Sequence, residues 1–110
     1  EMQNHHTQLL NTTFITDAVH TQCLEEALRE IVRPAVADTD HSLWRLDRQQ
    51  GKRPEADEPR SYALQCRFST LRQVEEFRRG RLAEAIEQLQ QKMPPQSCMV
   101  FQTHLSQMEF

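Results

Sequence analysis

Glycine is almost absent from this chain, whose 110 residues include only Gly51 and Gly80. A loop that cradles nucleotide phosphates needs several glycines, because its backbone must approach the phosphates closely. The sequence also lacks the Ser/His/Asp arrangement of a hydrolase and any paired-carboxylate motif. These absences argue against a nucleotide-binding loop, and no motif identifies a catalytic residue.

Metal-binding and disulfide patterns are missing as well. The three cysteines, Cys23, Cys66 and Cys98, lie far apart and form no C-x-x-C pair. An odd, dispersed set of this kind is typical of reduced thiols that fill apolar positions. The spacing of His5, His6, His20 and His41 matches no zinc pattern. His5 and His6 are adjacent in a polar terminus, which does not hold two ligands in a fixed geometry. We therefore expect no metal and no cofactor.

Long apolar runs and an excess of positive charge are also absent. No segment approaches the ~20 apolar residues that a membrane-spanning helix requires, and the polar first eight residues show no signal-peptide pattern. The formal charge is −3, and acidic and basic residues are mixed along the chain, whereas nucleic acids and anionic membranes attract basic patches. We expect a cytoplasmic protein with neither a nucleic-acid nor a membrane partner.

Hydrophobic periodicity predicts six elements in the order β, α, β, β, α, β. Alternating or β-branched segments predict four strands, and apolar residues three and four positions apart predict two helices. The predicted strands are Leu9–Ile15, Ser42–Arg48, Ser61–Phe68 and Cys98–Leu105, and the helices span Ala18–Val32 and about Leu71–Met93.

The caps and breaks of the two helices can also be predicted. Thr16 and Asp17 can cap the first helix, whose predicted apolar stripe consists of Val19, Cys23, Ala27, Leu28 and Ile31. Pro34 should end or bend this helix near Arg33. In the second helix a T-x-x-Q capping box begins at Thr70, and the apolar spacing slips at Gly80, which predicts a kink.

This order predicts one α+β domain over residues 1–110, with a tail over 1–8 and a flexible hairpin loop over 49–60. Two βαβ-like halves with right-handed crossovers form a ferredoxin-like βαββαβ sandwich. In that fold a four-stranded antiparallel sheet carries both helices on one face. The other face of the sheet stays open.

The open face is where we predict function. Alternation places Ala63, Gln65 and Arg67 there on strand three, with Trp44 or Leu43 from strand two. Strand one contributes either Asn11 and Thr13 or Leu10 and Thr12. On strand four we expect Val100, Gln102 and His104 on the open face and Met99, Phe101 and Leu105 under the helices. Because this face is mixed in polarity, we expect it to stack on a second copy.

Several segments resemble a family of small, uncharacterised bacterial proteins classed as a domain of unknown function. LLNTTFITDAV is similar to the family's first strand and acidic cap, and EIVRPAV stands where its first helix ends in Ile-Pro. SYALQCRF and STLRQVEEF are similar to its third strand and second helix start, and FQTHL resembles its last strand. The resemblance implies a dimeric α+β barrel, and it carries over no catalytic residue.

We therefore predict a homodimeric interaction or regulatory module. The alternative is a cofactor-independent barrel enzyme, a small oxygenase or isomerase, with a pocket on the open face. Its candidate ligand-binding residues are Gln65, Arg67, Gln102 and His104, in which histidine offers acid/base chemistry and arginine an anion clamp. The same four residues could instead be hydrogen-bonded surface or interface groups. A third hypothesis, a small-molecule sensor domain, is disfavoured by the scarcity of glycine.

Overall fold

A computed structural model describes residues 7–47 and 58–109 of the chain. Most of the predicted tail and hairpin loop lies outside these residues. The parts that are described extend the neighbouring strands, because Gln8 already belongs to the first strand and Arg60 to the third.

Four strands form a single antiparallel sheet. They are β1 (Gln8–Thr16), β2 (Asp40–Arg45), β3 (Arg60–Phe68) and β4 (Cys98–Ser106). Their spatial order is β2-β3-β1-β4, so β1 and β3 are central and β2 and β4 form the edges. This is the order that two interleaved βαβ crossovers produce.

The first helical segment changes its winding along its length. A 3₁₀ turn (Ala18–His20) leads into α1 (Thr21–Ala27), then a π-helical turn (Leu28–Val32), and then the short α2 (Arg33–Ala35). Asp17 caps the start, since its carboxylate accepts from the His20 N–H at 3.0 Å. The helix ends at Ala35, one residue after Pro34 rather than at Arg33, and the π-helical turn directly before Arg33 is the change of winding near the predicted bend. The wider π turn before Pro34 relieves the clash that a proline ring makes with the preceding turn.

The predicted apolar stripe of this segment is wrong at its first residue. Val19 lies in the 3₁₀ turn and is 85% exposed. Because a 3₁₀ helix has three residues per turn rather than 3.6, the face that meets the core begins later, at Cys23 and Leu24. Ala27 and Leu28 are buried as predicted, with Cys23 and Ile31 packed against the core.

The second helical segment has the predicted cap and break. It consists of α3 (Leu71–Arg79) and α4 (Arg81–Lys92). The Thr70 side chain accepts from the Gln73 N–H at 3.1 Å, and the Gln73 side chain accepts from the Thr70 N–H, also at 3.1 Å, which completes the capping box. Gly80 lies between the two helices with a non-helical backbone, and its Cα approaches the Glu76 carbonyl so closely that a Cβ would stand 3.0 Å from the oxygen.

Both helical segments cover one face of the sheet, and the hydrophobic core lies between the two layers. The fully buried side chains come from the central strands β1 and β3 and from helices α1, α3 and α4 (Leu10, Phe14, Leu24, Leu64, Val74, Leu82 and Leu89 among them). The chain is therefore an α+β protein with the ferredoxin-like βαββαβ fold that the sequence predicts.

Candidate functional site

The register of the sheet assigns every strand residue to one of two faces. Along β1 the residues from Leu10 to Thr16 are alternately buried and half-buried, so the even-numbered residues face the helices. The half-buried residues Leu9, Asn11, Thr13 and Ile15 therefore lie on the open face. Residues paired across strands share a face, and their positions follow from these pairings.

On β4 the predicted faces are wrong. Val100, Gln102 and His104 are paired with Phe14, Thr12 and Leu10, and all three pairs lie on the helix-facing side. The predicted choice favoured the more apolar set for the core, whereas the pairing with β1 fixes the opposite parity.

The side-chain contacts of β4 agree with this assignment. The Gln102 amide donates to the Thr12 hydroxyl at 3.3 Å, and Thr12 is buried. His104 Nε2 lies 2.7 Å from the Gln8 carboxamide oxygen, in a hydrogen bond beyond the end of the core. Neither side chain therefore joins Gln65 and Arg67.

The open face instead carries the apolar side chains of β4. Met99, Phe101 and Leu105 are paired with Ile15, Thr13 and Leu9. On the other edge strand, Trp44 is paired with Ala63, Ala63 with Thr13, and Thr13 with Phe101. Trp44 and Phe101 therefore lie in one row across the open face, which we call the apolar row. Leu43, the alternative to Trp44, faces the helices opposite Leu64.

These apolar side chains are strongly exposed. Trp44 is 57% exposed, Met99 56%, Phe101 50% and Leu105 45%. They lie on one side of one sheet rather than scattered over the surface. Clustered exposure of this kind marks interaction sites, whereas single exposed apolar residues are ordinary.

A polar band crosses the same face. Gln65 and Arg67 lie there as predicted, opposite Asn11 and Leu9. Arg67 donates to the Ser42 hydroxyl at 3.3 Å and to the Gln65 side-chain oxygen at 3.4 Å, and its guanidinium lies 3.8 Å from Asp40. Among the described residues of the strands, Arg67 is the arginine on this face, and its own neighbours hold it.

Two grooves adjoin Arg67. One, of about 400 Å³, lies on the open face and is lined by Thr7, Leu9, Arg67, Leu105, Ser106 and Gln107. The other, of about 550 Å³, lies at the end of the sheet between β3 and the second helical segment. In the second groove Arg81 pairs with Asp38 at 2.5 Å. This hydrogen bond and charge lower the pKa of the Asp38 carboxyl. Both grooves are open, and arginine and aspartate largely neutralise each other in the second.

The thiols have no reactive setting in the described parts of the chain. Cys66 is buried on the helix-facing side of β3, and desolvation raises its pKa to about 11. Burial also raises the pKa of Cys98. A neutral thiol is a poor nucleophile and a poor metal ligand. All three cysteines are free.

Two absences hold for the described residues, 7–47 and 58–109. No three His, Cys, Asp or Glu side chains in these ranges come together as a metal site would require. None of the helices there has the length and apolar character to cross a membrane.

Comparison with known proteins adds information about the fold. No family model matches the chain, and no curated protein matches it. The designed protein Foldit4 is 7% identical, and the match covers 93% of this chain and 99% of that one with a TM-score of 0.57. This likeness concerns the fold alone.

Two structures of CPII, a nitrogen regulatory PII-like protein from Thiomonas intermedia K12, are more distant. One holds ADP, AMP and acetate, is 14% identical, and covers 93% of this chain and 90% of that one with a TM-score of 0.44. The other holds ADP, AMP and bicarbonate, is also 14% identical, and covers 90% and 87% with a TM-score of 0.41. Likenesses this weak carry no argument about function. The resemblance to a bacterial family of unknown function stays a prediction.

Proposed function

We propose that the protein is a homodimeric interaction module whose two copies stack through their open sheet faces. The observation that carries this proposal is the exposure of Trp44, Met99, Phe101 and Leu105 on that one face. Each side chain keeps about half of its surface in water, and burial of apolar surface is the main driving force of association.

The charge on the open face favours a second copy as the occupant. Among the paired residues on this face, Arg67 and Asp40 are the charged ones, and they face each other across β3 and β2. Because two copies present identical charges, a face with net charge would repel itself, whereas a neutral face does not. The whole chain carries a formal charge of −3, so the neutrality is a local property of this surface.

The area of the face suits a weak dimer that dissociates on dilution. Four strands about 4.8 Å apart and up to about 30 Å long offer roughly 500 Å². A stack of two such faces buries roughly 1,000 Å² in total, which is at the lower limit for a biological interface. A two-fold axis that lies between the two faces and parallel to them would bring the same apolar surface of each copy together.

The solution mass over a dilution series tests the proposal, measured by light scattering after size exclusion. We expect a dimer that dissociates on dilution. Trp44 is the only tryptophan, so its fluorescence should shift to longer wavelength as its half-exposed ring returns to water. A monomer at all concentrations would contradict the proposal.

A pair of matched variants locates the interface. Phe101→Glu places a charge in the apolar row of each copy and should weaken dimerisation by at least about a hundredfold, because each buried unpaired charge costs several kcal/mol. Val19→Glu makes the same kind of change at an 85% exposed position in the helical layer and should leave the dimer intact. A Phe101→Glu protein that dimerises like the parent would contradict an interface on the open face.

The enzyme alternative lacks the group that motivated it. His104 lies on the helix-facing side of β4, so an acid/base residue does not stand beside Arg67 as the hypothesis required. Arg67 and the open-face groove of about 400 Å³ still offer an anion clamp, so ligand binding by Gln65 and Arg67 stays a prediction. A cytoplasmic location likewise stays a prediction.

A further inference from the structure

A third groove lies on the helix-facing side of the sheet, between the first helical segment and the edge strand β2. Its volume is about 250 Å³, and its floor consists of buried apolar side chains (Leu28, Val32, Val36 and Leu64). Leu43 forms one wall. This leucine faces the helices, yet it is 49% exposed, because the helical segment covers the central strands and leaves β2 uncovered.

The groove continues along β2. An adjoining space of about 210 Å³ shares Leu28, Arg29 and Leu43 with this groove and reaches Glu25 and Tyr62. At this far end the Tyr62 hydroxyl donates to Glu25 at 2.6 Å. Arg45 also lines this end and pairs with Asp47 at 2.7 Å, so the charged groups at this end already have partners.

The rim at the other end is basic. Arg33 lines it from the helical segment and His41 lines it from β2, while Arg29 lines both spaces. Arg29 has a partner in Glu25 at 3.5 Å, but Arg33 has no ion pair with any residue in the described ranges. His41 Nδ1 is 2.8 Å from the Thr39 carbonyl oxygen. Since that bond requires a proton on Nδ1, Nε2 is left for another partner.

We propose that this groove binds a small amphipathic carboxylic acid. The apolar tail lies on Leu28 and Val32 beneath Leu43, and the carboxylate receives hydrogen bonds from the Arg33 guanidinium at the rim. The volume limits the ligand, because pockets for drug-sized molecules begin near 300 Å³. The basic rim selects an anion over a neutral or cationic molecule of the same shape.

The proposal is independent of the homodimer. The groove lies on the helix-facing side of β2, whereas the dimer uses the other side of the same strand through Trp44. A monomeric protein could therefore bind the acid, and a dimer could fail to bind it. Light scattering decides the first question, and ligand titration decides the second.

Octanoate and octanamide are the probes, because they share a chain length and differ in charge. Each is titrated into the full isotope-labelled chain while the methyl resonances of Leu28, Val32 and Leu43 are followed by NMR. We expect saturable shifts at these methyls with octanoate and about tenfold weaker binding of octanamide. Shifts confined to Leu105 on the open face, no saturation by either probe, or equal binding of both would overturn the proposal.

Variants at exposed positions separate the roles of charge and shape. Arg33→Gln should lower octanoate affinity about tenfold and leave octanamide unchanged, whereas Arg72→Gln on α3, whose side chain is 87% exposed, should change neither. Leu43→Phe should narrow the groove and weaken both probes, and Leu46→Phe, at a residue that is 54% exposed, serves as its matched control. If octanoate binds Arg33→Gln as tightly as the parent, the proposed carboxylate position is wrong.

Discussion

The hydrogen bond between Tyr62 and Glu25 ties the sheet to the first helical segment, and its loss should be measurable. Tyr62 is 4% exposed, and its hydroxyl lies 2.6 Å from the Glu25 carboxylate. Hydrogen bonds to charged groups contribute roughly 1.5–3 kcal/mol to stability. Because the Glu25 side chain keeps 27% of its surface in water, we expect about 1–2 kcal/mol here. In a domain of this size that corresponds to a fall in Tm of roughly 4–12 °C.

A double-mutant cycle isolates this interaction. Tyr62→Phe, Glu25→Gln and the double variant are unfolded in urea and followed by circular dichroism. Glu25→Gln also weakens the contact of Glu25 with Arg29 at 3.5 Å, and the cycle subtracts that effect. Glu26→Gln, one residue further along and exposed, is the matched control and should show no coupling to Tyr62. A coupling energy below about 0.3 kcal/mol for Glu25 would refute the reasoning, because it lies within the error of additivity.

The same contact predicts a pH dependence. Burial and the Glu25 carboxylate raise the pKa of the Tyr62 phenol well above its ordinary value. Above about pH 10 an unfolded tyrosine releases its proton while the folded one keeps it. The unfolded state then binds fewer protons, so stability falls as pH rises. Tyr62 is the only tyrosine, so its ultraviolet absorbance reports its ionisation directly. Tyrosinate that forms near pH 10 in the folded protein would contradict the burial argument.

Three further predictions test the core, a cap and a thiol. Leu82→Ala at a fully buried position should cost about 2–5 kcal/mol in urea unfolding, whereas Leu71→Ala, at a residue 54% exposed, should stay within about 0.5 kcal/mol. Thr70→Ala removes the capping hydrogen bond and should cost about 1 kcal/mol; an unchanged midpoint would show that the cap contributes nothing. Cys66 has its pKa raised to about 11, so stability should fall from about pH 9 upward, and Cys66→Ala should flatten that decline.

Local patterns predicted the central elements because there the pattern and the packing agree. The alternation of β3 placed Tyr62, Leu64 and Cys66 on one face, and all three are buried. The capping box at Thr70 and the break at Gly80 are set by residues that act within one helical turn. Such features depend on few distant contacts, so the sequence alone is sufficient.

The first helical segment was predicted less well because its winding changes twice. A prediction at a constant 3.6 residues per turn placed Val19 in the core and omitted Leu24. The 3₁₀ turn before α1 and the π turn before Pro34 each shift the phase of the buried stripe. No residue in Leu28–Val32 predicts a π turn by itself. The proline shortly after it is the available signal, since its ring requires a wider turn.

The incorrect faces on β4 have a different cause, and that cause bears on function. Binary patterning assigns the more apolar set of a strand to the core, so Met99, Phe101 and Leu105 were expected under the helices. The pairing with β1 gives the core side to Val100, Gln102 and His104 instead. Parity on an edge strand is fixed by its neighbour, and a shift of one residue exchanges both sets. A strand that places its more apolar set in water exposes surface that costs free energy in the monomer. In the proposed dimer a second copy would cover this face and remove that cost, so the residues whose faces were predicted incorrectly are the ones that motivate the dimer proposal.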